Sequence, residues 1–142
     1  MKKYLVIAIA FFAAGSLASS AWGRRIQQEG YILEYEKDLA AEQPGPHSGG
    51  GNTTAYNFFT KAPGFKLAFR KRLLHAGSSI GYHLQKEDEI YYIISGSGEM
   101  KMNGESFTVN AGDAILTRPG SSHGIKPAAQ EDLSLMIAYE IK

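Results

Sequence analysis

Four residues in the second half of the chain have side chains that could bind one metal ion together: His83, Gln85, Glu89 and His123. His83 and Gln85 are two positions apart in a segment that favours a strand, so both side chains project from one face. Glu89 begins the next such segment, and adjacent antiparallel strands lie about 4.8 Å apart. Two imidazoles, one carboxylate and one amide oxygen suit a divalent ion. A single histidine on a strand is more often a structural or surface residue than a ligand, so these spacings alone make one divalent ion per chain a hypothesis, with Mn, Fe, Ni, Zn and Cu all open.

The segments that would position these residues have the pattern of short β-strands. From residue 55 to residue 142, runs rich in aromatic and β-branched residues are separated by glycine-containing turns. The run EIYYIIS at 89–95 is almost entirely apolar, which indicates a strand buried on both faces. No segment in this region has the pattern of a helix between strands. About eight to ten short strands without helices predict an all-β sandwich or barrel.

Residues 77–96 resemble the first motif of the cupin family. That motif consists of a glycine, five residues, His-x-His, a short spacer, a glutamate, six residues and a second glycine. The residues of this chain at those spacings are Gly77, His83, Gln85, Glu89 and Gly96. Gln85 stands where the second histidine is usual. Either Gln85 binds the ion through its amide oxygen, or the metal site is lost and the fold binds its ligand alone.

Residues 112–123 resemble the second cupin motif, in which a glycine precedes Pro-x-Gly-x-x-His. Gly112, Gly120 and His123 fall in place, whereas Arg118 takes the position of the usual proline and Pro119 follows it. Residues 46–51, PHSGGG, also resemble a small subgroup of single-domain cupins that carries Pro-His-x-Gly-x-Gly upstream. The two motifs occur at the separation that the family has, which makes the resemblance specific.

The resemblance implies a cupin β-barrel, also called a double-stranded β-helix of the jelly-roll type. It implies a metal ion inside the barrel near its wider mouth, held by His83, Gln85, Glu89 and His123. It also implies a homodimer, which in this family is often made by exchange of N-terminal strands. We expect the barrel at 55–142, after an N-terminal arm and a loop rich in glycine and proline at 22–54.

Three further residues are candidates for the pocket beside the metal. Tyr91 shares a strand face with Glu89 and lines the cavity or packs in the core. His47 lies in the glycine-rich segment, which either folds over the barrel mouth or leaves the histidine exposed. Arg118 faces either a carboxylate substrate or solvent. No residue is assigned as catalytic, and no organic cofactor is predicted.

Residues 1–21 have the order of a secretory signal peptide. Lys2 and Lys3 precede an apolar run at 4–14, and small polar residues follow up to Ala21. A spanning helix needs about 20 apolar residues, so we expect cleavage after Ala21 rather than a stable membrane anchor. The chain has no cysteine, which excludes disulfides and cysteine-bound zinc. We expect a bacterial protein in the periplasm or secreted.

The basic cluster Arg70-Lys71-Arg72 bears on the choice of partner. The segment 65–73 alternates, with apolar residues at 65, 67, 69 and 73 on one face and Lys66, Arg70 and Arg72 on the other. We interpret it as a half-buried strand whose basic residues face solvent. The net charge of the whole chain is +1. A nearly neutral protein lacks the electrostatic field that holds nucleic acid, so we predict no nucleic-acid partner.

Three classes of function stay open. The first is a metal-dependent enzyme acting on a small polar molecule, with oxygenase, isomerase, lyase or decarboxylase chemistry. The second is a protein that binds a small molecule or sugar without chemistry. The third is a structural, germin-like protein whose metal stabilises the barrel. An isomerase or lyase needs a positioned proton carrier, for which Tyr91, His47 and Arg118 are the candidates.

Overall fold

Twelve short β-strands make up most of the structure, a computed structural model that describes residues 25–142. The strands are β1 (Arg25–Gln28), β2 (Tyr31–Glu34), β3 (Ala40–Pro44), β4 (Asn52–Phe58), β5 (Leu67–Leu74), β6 (Ile80–Leu84), β7 (Glu89–Ser95), β8 (Ser97–Met102), β9 (Glu105–Asn110), β10 (Ala114–Thr117), β11 (Ser122–Pro127) and β12 (Leu133–Glu140). A 3-10 turn at Glu36–Asp38 lies between β2 and β3. Within residues 25–142, no helix is long and apolar enough to cross a membrane. The predicted signal peptide lies outside the described residues.

Two antiparallel sheets enclose the core. One has six strands in the order β10-β7-β12-β5-β4-β3, and the other has four in the order β6-β11-β8-β9. The strands β1 and β2 form a separate hairpin. Apolar side chains from both large sheets meet in one buried cluster, which includes Leu74, Ile93, Leu135, Ile80, Met100 and Ile125. The predicted all-β fold of the jelly-roll type is confirmed.

Two strands lie in segments that the sequence indicated as loops. β3 falls in the predicted N-terminal arm, and β11 begins inside residues 118–124, RPGSSHG, whose proline and glycines favour a turn. β11 has few residues that favour strands, but it pairs with β6 on one side and β8 on the other, so tertiary pairing overrides propensity. The loop rich in glycine and proline comprises only residues 45–51, because Thr53 and Thr54 are buried in β4. The predicted barrel start, residue 55, therefore falls inside a strand.

The prediction that Arg70 and Arg72 face solvent from β5 is wrong. Arg72 is 6% exposed, and Ala68 and Leu74 are buried on the same face. β5 lies between β4 and β12, with Arg72 opposite Ala55 and Leu135, which are both buried. Because neighbouring strands in a sheet share their faces, these partners fix the orientation of β5. The apolar residues at 67, 69 and 73 consequently lie on the outer face.

The prediction that β7 is buried on both faces is also wrong. Tyr91 and Ile93 are buried, whereas Ile90, Tyr92 and Ile94 are exposed. These three side chains lie on the outer face of the six-stranded sheet. The strand therefore has an apolar inner face and an equally apolar outer face.

Candidate metal centre

The two sheets bring three potential metal ligands together. His83 on β6 and His123 on β11 lie opposite each other in the four-stranded sheet, with ring centroids 4.5 Å apart. Glu89 is the first residue of β7 and is buried on the inner face of the other sheet. One ligand atom from each of the three residues lies within 4.8 Å of the other two. Both sheets therefore contribute to one potential site.

A backbone carbonyl orients His83. The Nδ1 atom of His83 lies 2.8 Å from the carbonyl oxygen of Gly81. Because a carbonyl oxygen can only accept, Nδ1 donates its proton in this contact. The Nε2 atom of the neutral ring then keeps its lone pair. Histidines that bind metals commonly have this kind of support from a carbonyl or carboxylate.

The carboxylate of Glu89 favours a cation at this position. Glu89 is 7% exposed, and its Oε2 atom lies 3.0 Å from Nε2 of the fully buried His123. That oxygen nevertheless accepts no hydrogen bond from any described residue, and Nδ1 of His123 also has no partner among them. Buried polar atoms without partners are energetically costly, and a divalent cation would satisfy the carboxylate. The three residues therefore fit a divalent metal ion.

Gln85 lies beside the same cluster. Its backbone N–H donates to the carbonyl oxygen of Ser121 at 2.8 Å, and its carbonyl oxygen accepts from the N–H of Gly120 at 3.0 Å. These two bonds tie Gln85 to the turn that precedes β11 and thus to His123. Its side chain is buried and lines the cavity next to the cluster. Its role as a fourth ligand stays a prediction.

A cavity of about 420 Å³ opens beside the cluster and is lined by His83, Gln85 and Glu89. Tyr91 also lines it, so this buried tyrosine both packs in the core and borders the cavity. The hydroxyl oxygen of Tyr91 lies 3.1 Å from Nε2 of His123. Burial, followed by the neighbouring charge of Glu89, raises the pKa of Tyr91 well above its ordinary value. Tyr91 therefore keeps its proton at neutral pH.

His47 lies over the cluster, which agrees with the alternative in which the glycine-rich segment folds over the barrel mouth. Its ring stacks on that of His83, with centroids 3.5 Å apart and planes 4° from parallel. The N–H of Gly81 donates to the carbonyl oxygen of Pro46 at 2.9 Å, which fixes the 45–51 loop against β6. A Cβ atom on Gly81 would lie 2.0 Å from the His47 carbonyl oxygen, so this approach requires glycine. Burial, then the nearby His83, lowers the pKa of His47.

Arg118, the third pocket candidate, lies away from the cluster. Its side chain is 69% exposed and forms an ion pair with Asp88 at 2.7 Å. It is not among the residues that line the cavity. Of the two alternatives for Arg118, the structure agrees with the one in which its side chain points to solvent.

Arg70 and Arg72 are among the cavity residues that sequence reasoning missed. Both lie on the inner face of β5 and line the cavity. Their position follows from the reversed orientation of that strand. The signal in the sequence is weak but present, because Ala68 and Leu74 flank the two arginines at the same strand period and are buried with them.

Comparison with known sequences supports the family resemblance. The model of the cupin domain family matches residues 71–139. An oxalate-binding protein of Thermotoga maritima is 39% identical over 69 residues, which are 48% of this chain and 57% of that protein. The match therefore spans little more than half the length of that relative.

Solved structures agree with the fold. A crystal structure described as a predicted oxalate decarboxylase from Thermotoga maritima is 28% identical with a TM-score of 0.69, covering 76% of this chain and 97% of that one. The polyketide cyclase RemF from Streptomyces resistomycificus is 17% identical with a TM-score of 0.64, covering 78% and 79%, and is similar in fold alone. We conclude that this chain contains a cupin domain, which the family model matches at residues 71–139.

Proposed function

We propose that this protein is a metal-dependent enzyme that acts on a small carboxylate such as oxalate. The observation that carries the proposal is the buried cluster of His83, Glu89 and His123 beside a cavity large enough for a small acid. A divalent ion held there would supply a Lewis acid for a bound carboxylate. The matches from Thermotoga maritima, a curated protein named for oxalate binding and a structure described as a predicted oxalate decarboxylase, support the choice of ligand.

The side chains around the cavity favour decarboxylation among the possible reaction types. Loss of CO₂ from a carboxylate leaves a carbon that must gain a proton, so the site needs a proton carrier. His47 stacks on His83 at the cavity, and its lowered pKa makes its protonated form a stronger proton donor than an ordinary imidazolium. Tyr91 is protonated and lies within hydrogen-bonding distance of His123. His47 reaches solvent and can therefore exchange its proton with water between turnovers.

Capture of the acid without chemistry is the second candidate function. The relative named as an oxalate-binding protein favours it. Incubation of the metal-loaded protein with ¹³C-oxalate separates the two functions. We expect binding in titration calorimetry that disappears when a chelator removes the metal, and formate in the ¹³C spectrum. Binding without formate would favour the binding protein, and absence of metal-dependent binding would contradict both.

We also propose that the protein is exported. The support is the composition of residues 1–21, with basic, apolar and small-residue segments in the order of a signal peptide. Mass spectrometry of the protein from its native host is expected to find a chain that begins at Ala21 or Trp22. A soluble chain that retains Met1 would contradict export and, with it, a periplasmic or secreted location.

We further propose that the protein is a homodimer and does not bind nucleic acid. The exposed Ile90, Tyr92 and Ile94 on the outer face of the six-stranded sheet support a homodimer, because an apolar face of this kind suits a second copy of the chain. Arg70 and Arg72 face the cavity, so the basic cluster forms no exposed stripe for phosphates.

A further inference from the structure

Arg72 is a buried cation at the cavity with part of its guanidinium unpartnered. Its Nη1 atom donates to Oε1 of Gln43 and Oγ1 of Thr53, both at 3.0 Å. Its Nε atom is buried and has no hydrogen-bond partner among the described residues. Native proteins rarely leave such a donor unsatisfied, so the group has the character of a binding site for an acceptor from outside the chain.

The charge of Arg72 is also uncompensated. None of the ion pairs between the residues of the described range includes Arg72, and its two hydrogen-bond acceptors are neutral groups. Burial, followed by the nearby positive charge of Arg70, lowers the pKa of Arg72. An arginine nevertheless stays protonated in proteins. A buried guanidinium without a carboxylate destabilises the protein unless an anion joins it.

The acidic residues that line the cavity have other contacts. Glu89 lies against His123 in the metal cluster, and Glu87 forms an ion pair with Lys142 at 3.6 Å. Arg70 lines the cavity two residues from Arg72 on the same face of β5, with its guanidinium over the ring of Tyr139. The cavity therefore has a cationic wall on β5 and the candidate metal ligands on β6 and β7.

The strand order fixes the separation of these two sides. β5 and β7 lie on either side of β12, so their backbones are about 10 Å apart. The guanidinium of Arg72 is held on the β4 side of the cavity by Thr53 and Gln43, whereas that of Arg70 lies over Tyr139 of β12, the strand between β5 and β7. A small molecule with one acid group at the metal would extend a second acid group along the cavity toward these two guanidinium groups.

We propose that Arg72, assisted by Arg70, binds a second carboxylate of the ligand, so that the site selects small dicarboxylates over monocarboxylates. This inference rests on the proposed function, since it assumes that the first carboxylate binds at the metal. Guanidinium groups suit this role because their planar donors match a carboxylate in pairs. Arg72 then determines specificity, whereas His83, Glu89 and His123 hold the metal.

Titration calorimetry of the Mn-loaded protein with oxalate, malonate, formate and acetate tests the inference. We expect Arg72→Gln to weaken binding of oxalate and malonate about 30-fold, the loss of a hydrogen bond to a charged group. The affinity for formate and acetate should change by less than about threefold, because these acids have no second carboxylate for Arg72 to bind. Arg72→Lys keeps the charge but lacks the paired donors, so its affinity for the two dicarboxylates should fall about tenfold.

The controls separate the possible failures. Manganese content and circular dichroism of both variants should match the parent, and Arg72→Lys serves where Arg72→Gln does not fold. Unchanged preference for dicarboxylates in the folded variants would overturn the inference and leave the proposed function intact. Equal weakening of all four acids would also overturn it, because Arg72 would then act on the whole site. A parent protein that binds none of the acids would remove the proposed function itself.

Discussion

His123→Ala is expected to lower metal affinity by more than about 100-fold. Its imidazole is fully buried, with Nε2 only 3.0 Å from Glu89 Oε2. Even the loss of a residue that supports a metal ligand commonly costs about 10–100-fold, and a ligand itself contributes more. Competition with a chromogenic chelator measures the change. His83→Ala should give a loss of the same order.

His75→Ala is the matched control, because it removes a histidine away from the cavity. His75 contacts Thr54 and Asp132 through its two ring nitrogens. Its replacement should leave metal affinity unchanged. Gln85→Ala should give a smaller loss than His123→Ala, since a neutral amide is the weakest donor of the four predicted ligands. If His123→Ala and His75→Ala retained metal equally well, the cluster would not be the metal site.

Tyr92→Glu is expected to convert a dimer into a monomer. Tyr92 is 47% exposed in the middle of β7, with Ile90 and Ile94 beside it on the outer face. In a twofold interface each substitution occurs twice, so two carboxylates would lose their hydration and face like charge. We expect the dissociation constant to rise at least about 100-fold. Light scattering coupled to size-exclusion chromatography measures the mass directly.

Tyr82→Glu provides a control with the same chemical change on the other sheet. Tyr82 is 48% exposed on β6, outside the six-stranded sheet. This variant should keep the mass of the parent. A parent that elutes as a monomer at all concentrations would contradict the dimer. Dissociation by Tyr82→Glu but not by Tyr92→Glu would place the interface on the four-stranded sheet and contradict the proposed one.

Local pattern was enough to predict most of the strands, and the motif spacing indicated which residues lie together as candidate ligands. The segment of His83 was predicted as a strand and is β6, and Glu89, at the predicted motif spacing from His83, lines the same cavity. These features depend on strand period and turn residues, which the sequence carries directly. β11 shows where local pattern is not sufficient. Its sequence, SHGIKP, does not favour a strand and becomes one because it pairs with β6 and β8.

The arginines of β5 show why the rest of the site could not be predicted. A strand with Phe69 on one face and Arg72 on the other normally turns the phenylalanine inward. Here Arg72 lies opposite Leu135, and the phenylalanine faces outward with the apolar side chains of β7. Which face becomes internal depends on the whole sheet and on what covers its outer surface. Neither is contained in the segment itself.

Elemental analysis of the purified parent protein tests the central claim most directly. The cluster of His83, Glu89 and His123 predicts close to one equivalent of Mn, Fe, Ni, Zn or Cu per chain. Protein stripped by a chelator should regain one equivalent on dialysis against the same ion. A parent that is purified without metal and takes up none after exposure to each of the five ions would contradict the account.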